Sequence, residues 1–214
     1  MAQTPRTVPA PLPGAPADGA PVARLAASQL RRMRAIVDAA VAQAEKGGFE
    51  GVRLRDVAEA SDVALGTLYK YFRSKEDILL FALQEEAEKL EAALAGRPAR
   101  GATAAERLAD FFQRATRGFT RRPNLARAVV RAIAAGEHEL AVKVAGYHLR
   151  MERMIVKALR GGAAAAEPTA RESAVASTLN RVWFASLVGW AGGLHSVREV
   201  TDRMRETAEL LEPA

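Results

Sequence analysis

From about Ser28 onward the chain alternates apolar and polar residues with the period of a helix. Met33, Val37, Ala40, Val41 and Ala44 recur at steps of three and four, which places them on one face of a helix over 28–46. Gly47 and Gly48 follow, and glycine just past a periodic run marks a helix C-terminus. The same reading predicts short helices near 54–60 and 65–71 and a long one at 75–95. Further helices follow at about 103–121, 124–134, 138–160, 169–192 and 197–211. Four of these starts carry a Ser or Thr with an acid three residues on: Ser74/Asp77, Thr103/Glu106, Thr169/Glu172 and Ser196/Glu199. In that spacing the hydroxyl accepts from a free N–H of the first turn while the acid reaches back to the cap residue. No stretch alternates with the period of a strand. The expected fold class is all-α, with about nine helices.

Between Arg53 and Leu79 the chain reads RLRDVAEASDVALGTLYKYFRSKEDIL. In the first short helix Leu54, Val57 and Ala58 face inward. Ser61-Asp62-Val63 makes a turn with Val63 as its apolar plug, and Leu68 and Phe72 are the core-facing pair of the second helix. Leu65, Gly66, Thr67, Tyr69, Lys70 and Tyr71 remain for solvent or a partner. Two short helices at a tight turn form a helix-turn-helix, whose second helix enters the DNA major groove. Glycine inside a helix costs about 1 kcal/mol relative to alanine, so Gly66 suits a helix that must approach a groove closely. Thr67 and Tyr69 offer hydroxyls to phosphates or base edges, and Lys70 reaches phosphate or guanine. Lys75 sits in the next first turn, where free N–H groups already favour an anion, so Lys70 and Lys75 would clamp one phosphate. Taken singly, each tyrosine reads as a packing residue and each lysine as a solvated charge; the combination points to DNA.

Charge agrees with that reading. The net charge is +6, and residues 24–75 hold ten Lys/Arg against six Asp/Glu, whereas 76–91 hold six acids against Lys89. A basic N-terminal block attracts phosphate. Cysteine is absent, which excludes disulfides and thiolate metal sites. Apolar runs all fall short of the roughly 18 residues of a membrane span, and residues 1–23 carry six prolines and no signal-peptide pattern. The expectations are a disordered tail over 1–23, no membrane partner and a cytoplasmic address. His138, His148 and His195 lie on different segments with no metal-ligand spacing. No catalytic residue, metal site or cofactor is therefore expected, and an enzyme is the weaker reading.

Ser61-Asp62-Val63-Ala64-Leu65-Gly66-Thr67-Leu68-Tyr69-Lys70-Tyr71-Phe72, followed by Ser74-Lys75-Glu76-Asp77-Ile78, resembles the DNA-reading domain of the TetR family of bacterial transcriptional repressors. The family pattern is roughly A-G-V-S-x-G-T-L-Y-x-Y-F and then S-K-E-x-L, and the match covers residues 30–80. Asp62 stands in place of the turn glycine, and Asp tolerates the left-handed conformation better than most residues. Ala64 stands in place of a serine cap worth about 1 kcal/mol. Arg53 stands where threonine commonly caps the first short helix, exchanging a Thr-type phosphate contact for an Arg one. The resemblance implies a helix-turn-helix domain over 24–74 and a ligand-binding and dimerisation domain over 75–214. It also implies a homodimer through helices near 169–192 and 197–211, double-stranded operator DNA as partner, and a small-molecule effector. The DNA-binding residues it supports are Arg53, Leu65, Gly66, Thr67, Tyr69, Lys70, Tyr71 and Lys75.

KGGFEGVRLRDVAEASDVALGTLYKYF and RVWFASLVGWAGGLHSVREVTDRMRETAELL further resemble the repressors of steroid catabolism in actinobacteria, which implies a steroid acyl-CoA effector, with fatty acyl-CoA as the related class. Candidate ligand-binding residues are Phe111, Phe112, Phe119, Tyr147, Met151, Trp183 and Phe184, with Met154 and Trp190 beside them, although apolar residues at helical spacing are ordinarily core. Arg114, Arg117, Arg121, Arg122, Arg127 and Arg131 read as a solvated basic face or as a cradle for the anionic head of such a ligand. Two other readings remain: a sequence-tolerant structural DNA binder without an effector, and an activator built on the same fold.

Overall fold

Local chemistry sets most helix boundaries in the computed structural model, which describes residues 19–135, 138–162 and 167–211, with side chains from Ser28 onward. In order they are Gly19–Gly51 (α1), Leu54–Ala60 (α2), Leu65–Tyr71 (α3), Lys75–Gly96 (α4), Ala104–Thr120 (α5) and Pro123–Ala134 (α6). A 3₁₀ turn at His138–Leu140 leads into Ala141–Leu159 (α7), then Ala170–Ala191 (α8) and Val197–Leu211 (α9). No strand forms among the described residues. Thr103 and Thr169 close full capping boxes with Glu106 and Glu172. The Ser196 hydroxyl accepts from the Glu199 N–H while the Glu199 carboxylate accepts from the Ser196 N–H at 2.6 Å. Ser74 caps α4 through the Asp77 N–H, and the Asp77 carboxylate accepts from the Arg73 N–H.

The N-terminal expectation needs correction. α1 begins at Gly19, so residues 19–23 are helical rather than tail, and residues 1–18 lie outside the described residues. Alanine-rich sequence favours helix, and Pro21 falls in the first turn, where its missing N–H has no helical partner to lose. At the other end Gly48 breaks the helix with φ 61° and ψ −156°, and a single further turn carries it to Gly51. Only glycine adopts that backbone without strain.

One contiguous core runs from the head into the body. Ile36, Val37, Ala40 and Ala44 of α1 close over Val57, Ala58, Leu68 and Phe72, and Ile78, Leu79 and Leu80 of α4 carry the core onward. Full burial of a side chain of this size contributes about 1.5–3 kcal/mol, enough to hold two seven-residue helices with little stability of their own. Beyond the head, α5 packs on α9, α7 on α8, and α6 sits between α1, α4 and α8.

Two ion pairs tie the entry of α4 to the 3₁₀ turn and to α7. Arg73 meets Glu139 at 2.8 Å, and buried Asp77 receives Lys143 of α7 while also accepting from the Arg73 N–H at 3.2 Å. Replacing Asp77 with Ala removes a buried acceptor that serves both, and we expect a loss of about 1–3 kcal/mol in urea denaturation.

Candidate nucleic-acid interface and effector cavity

The reading face is narrower than its seven-residue helix. Leu68 is the one buried residue of α3, and Phe72 just beyond it is buried as well. Leu65 and Tyr71, three residues either side of Leu68, are half-buried against the same core. The 3.6-residue period already carried that signal, since 65, 68 and 72 share a face. Outward remain Gly66, Thr67 (half-buried), Tyr69 at 51% exposure, and Lys70. Arg53 is exposed at the start of α2; its N–H donates to the Gln43 side chain at 3.2 Å and its own side chain makes no cap.

Lys75 is not a free clamp. Its ammonium donates to the Phe49 carbonyl at 3.1 Å, lies 3.9 Å from the Phe49 ring centroid and sits 3.7 Å from the Glu50 carboxylate. It ties the start of α4 to the end of α1, which places the next helix start beside α3. Asp62 takes the left-handed conformation at φ 54°, and Ala64 supplies no side-chain cap, only a carbonyl that accepts from the Thr67 and Leu68 N–H groups at 2.8 and 3.1 Å.

In the body, the aromatic candidates separate into two groups. Phe111, Phe112 and Met151 are fully buried and stand outside the cavity that the other four line. Phe119, Tyr147, Trp183 and Phe184 do come together, with Leu83, Val130, Ile133, His148, Asn180 and Leu187, around a cavity of ≈ 10 Å³. That is about room for one water molecule. Burial pushes the Tyr147 phenol above its ordinary pKa and, as the largest influence, holds His148 below its own. A larger groove of ≈ 420 Å³ opens at the far end of α4 and α7, floored by Leu94, Pro98, Met154 and Ala158 and flanked by Arg153 and Lys157.

Most of the basic face is already engaged. Arg114 donates to the Arg97 and Pro98 carbonyls at 2.7 and 3.2 Å, tying α5 to the end of α4. Arg127 lies over the Trp190 ring. Arg122 meets Glu45 at 3.0 Å and Arg131 meets Glu50 at 2.6 Å, while Asn124 donates to the Glu45 carbonyl at 2.9 Å. Arg122 at the N-cap and Asn124 and Arg131 within α6 thus grip the end of α1, and Val130 and Ile133 of the same helix line the cavity. Sequence reasoning missed Asn180, Asn124 and this grip, because contacts between residues 79 positions apart leave no local pattern. Asn180 alone had a faint signal, as an amide within the apolar run of α8.

Residues 36–81 match the family described as bacterial regulatory proteins, tetR family, and residues 101–211 match the tetracyclin repressor-like C-terminal domain. The chain belongs to the TetR family. It is 36% identical to the HTH-type transcriptional repressor KstR of Rhodococcus jostii over 184 residues, covering 86% of this chain and 84% of that protein. Identity to KstR of Mycobacterium tuberculosis is 34%, over 86% and 82% of the two chains. A TetR transcriptional regulator from Rhodococcus sp. RHA1 has the same fold, with TM-score 0.76, 22% identity and coverage of 86% and 97%. Thermus thermophilus FadR, a TetR-family repressor solved in complex with lauroyl-CoA, follows at TM-score 0.62, 20% identity and coverage of 84% and 92%. As a TetR-type transcriptional repressor of the KstR kind, the chain falls among regulators rather than enzymes, and none of its described helices is long and apolar enough to cross a membrane.

A Cβ at Gly66 would meet nothing within 4 Å. Gly66→Ala should therefore raise the stability of the free protein by up to about 1 kcal/mol through helix propensity. If DNA approaches this face, the same change lowers operator affinity, so thermal denaturation and DNA binding move in opposite directions. Ala64→Ser, at a cap whose backbone is already extended (φ −63°, ψ 141°), should add about 1 kcal/mol to stability.

Proposed function

We propose that this TetR-family repressor binds a palindromic operator as a homodimer and is released by a hydrophobic effector of the steroid or acyl-CoA class. The outward cluster of Gly66, half-buried Thr67, Tyr69 and Lys70 on one short helix, braced from behind by Leu68 and Phe72, carries the reading. Arg53 extends the basic face toward the phosphate backbone, and Lys75 positions rather than contacts. One such helix reads too few bases for useful affinity, whereas two held about 34–36 Å apart read a palindrome.

Dimerisation through α8 and α9 is supported by the surface these helices leave uncovered. Ala174, Thr178, Arg181, Ala185 and Val188 recur at three- and four-residue steps along the exposed side of α8. Leu194, Val197 and Leu210 extend the apolar surface beyond it and onto α9. Ala174, Thr178 and Ala185 are small enough to let two helices approach closely.

Effector control is supported by α6, which lines the cavity with one face and holds α1 with the other. A ligand that enlarges the cavity must displace α6 or its neighbours, and with it the head. To turn a population from 1:99 to 99:1 it must favour the released state about 10⁴-fold. The steroid and acyl-CoA classes follow from the KstR likeness and, more distantly, from the lauroyl-CoA bound to FadR.

The test is fluorescence anisotropy on the DNA upstream of the protein's own gene against scrambled DNA, across a salt series, with and without steroid and fatty acyl-CoA. We expect specific binding released by one ligand class. Replacing both Tyr69 and Lys70 with Ala should weaken operator binding by at least about 30-fold, since good base contacts contribute about 1–3 kcal/mol each. An unchanged affinity would remove the reading face from this helix. Equal binding to both DNAs, with a steep salt slope and no ligand effect, would instead identify a sequence-tolerant binder.

A further inference from the structure

Asn180 is an amide set in a hydrocarbon wall. It is 1% exposed at the middle of α8, and it borders the cavity together with Leu83, Phe119, Val130, Ile133 and Phe184. Its Nδ2 lies 3.0 Å from His148 Nδ1, and its Oδ1 has no hydrogen-bond partner among the described residues. The neighbouring polar atoms are matched: Trp183 Nε1 donates to Thr116 Oγ1 at 2.9 Å, and Ser186 Oγ donates to the Val182 carbonyl at 2.8 Å. A buried acceptor left unsatisfied is costly, and a leucine of similar volume would fill the position without that cost. Asn180 is therefore hard to explain as packing.

Its orientation says what would satisfy it. The amide nitrogen is the group set against His148 Nδ1, which leaves the carbonyl oxygen without a partner at the cavity wall. That oxygen needs a donor, and the apolar walls supply none. The walls that would have to move are half-buried rings, Phe119 set edge-on to Trp183 and Phe184 edge-on to His148, rather than the close-packed centre. Opening them bears on Val130 and Ile133, on the helix that grips α1.

We propose that Asn180 is the specificity-determining residue of the effector site, accepting at Oδ1 a hydrogen bond from a hydroxyl group carried by an otherwise apolar, steroid-sized molecule. This rests on the effector-responsive reading above and adds to it the functional group the site selects. A ketone at the same place brings a second acceptor against the first and is disfavoured. A plain hydrocarbon leaves the carbonyl unpaired.

The experiment uses three molecules that differ at one position: 5α-androstan-3β-ol, 5α-androstan-3-one and 5α-androstane. Binding to the full chain is followed by quenching of tryptophan fluorescence, Trp183 being part of the cavity wall, and release is followed separately by anisotropy of labelled operator DNA. The expected result is that the alcohol binds about tenfold more tightly than the ketone or the hydrocarbon, and that Asn180→Leu removes the difference. Equal binding of alcohol and ketone, preference for the ketone, no binding of any of the three, or an Asn180→Leu protein that keeps the preference would each overturn the proposal. The wild-type ratio decides on its own should the variant fail to fold. Selective binding without release from DNA would sink the effector reading and leave the Asn180 site standing; release without selectivity for the alcohol would do the reverse.

Discussion

The structure depends on how α6 is held at once by the body and by the end of α1. Two ion pairs mark the joint, Arg122 with Glu45 and Arg131 with Glu50, but their side chains are 41–69% exposed. Exposed pairs of this kind contribute about 0–1 kcal/mol each. The strength of the joint lies instead in the apolar seam beneath, where Leu125, Ala126, Val129 and Val130 of α6 are all buried. The charges set register and the hydrocarbon holds.

The reading helix shows a different balance. α3 has a glycine in its first turn and no side-chain cap, and its entry turn contains a left-handed aspartate. Each of these weakens a seven-residue helix that would not form alone. Burial of Leu68 and Phe72, together with the partial burial of Leu65 and Tyr71, offsets those costs. The helix is therefore stable only where it is docked. Its outer face is left to Gly66, Thr67, Tyr69 and Lys70, whose identities packing does not dictate.

Lys75 and Asn180 illustrate how far side-chain type alone misleads. A lysine in the first turn of a helix looks like an anion ligand, yet this one is satisfied by the Phe49 carbonyl and ring and by Glu50. An asparagine in mid-helix looks like a polar surface position, yet this one is buried with a carbonyl unpaired. In both cases the deciding partner comes from another helix: α1 for Lys75, and α7, through His148, for Asn180.

The sequence by itself determined the helices, their caps and the helix-turn-helix, because each rests on interactions reaching three or four residues along the chain. Ser74, Thr103, Thr169 and Ser196 mark their helix starts in the sequence and in space alike. The late start expected for α1 failed for the converse reason: no cap or breaker marks where an alanine-rich helix stops fraying. Only the tertiary structure decided which apolar side chains fill the core and which border a cavity. Phe112 and Phe119 sit on one helix seven residues apart, yet one is sealed against Phe111 and Trp183 while the other edges open space. That distinction is made by neighbours arriving from α4, α6, α7 and α8, whose meeting depends on the packing of the whole body rather than on any local pattern.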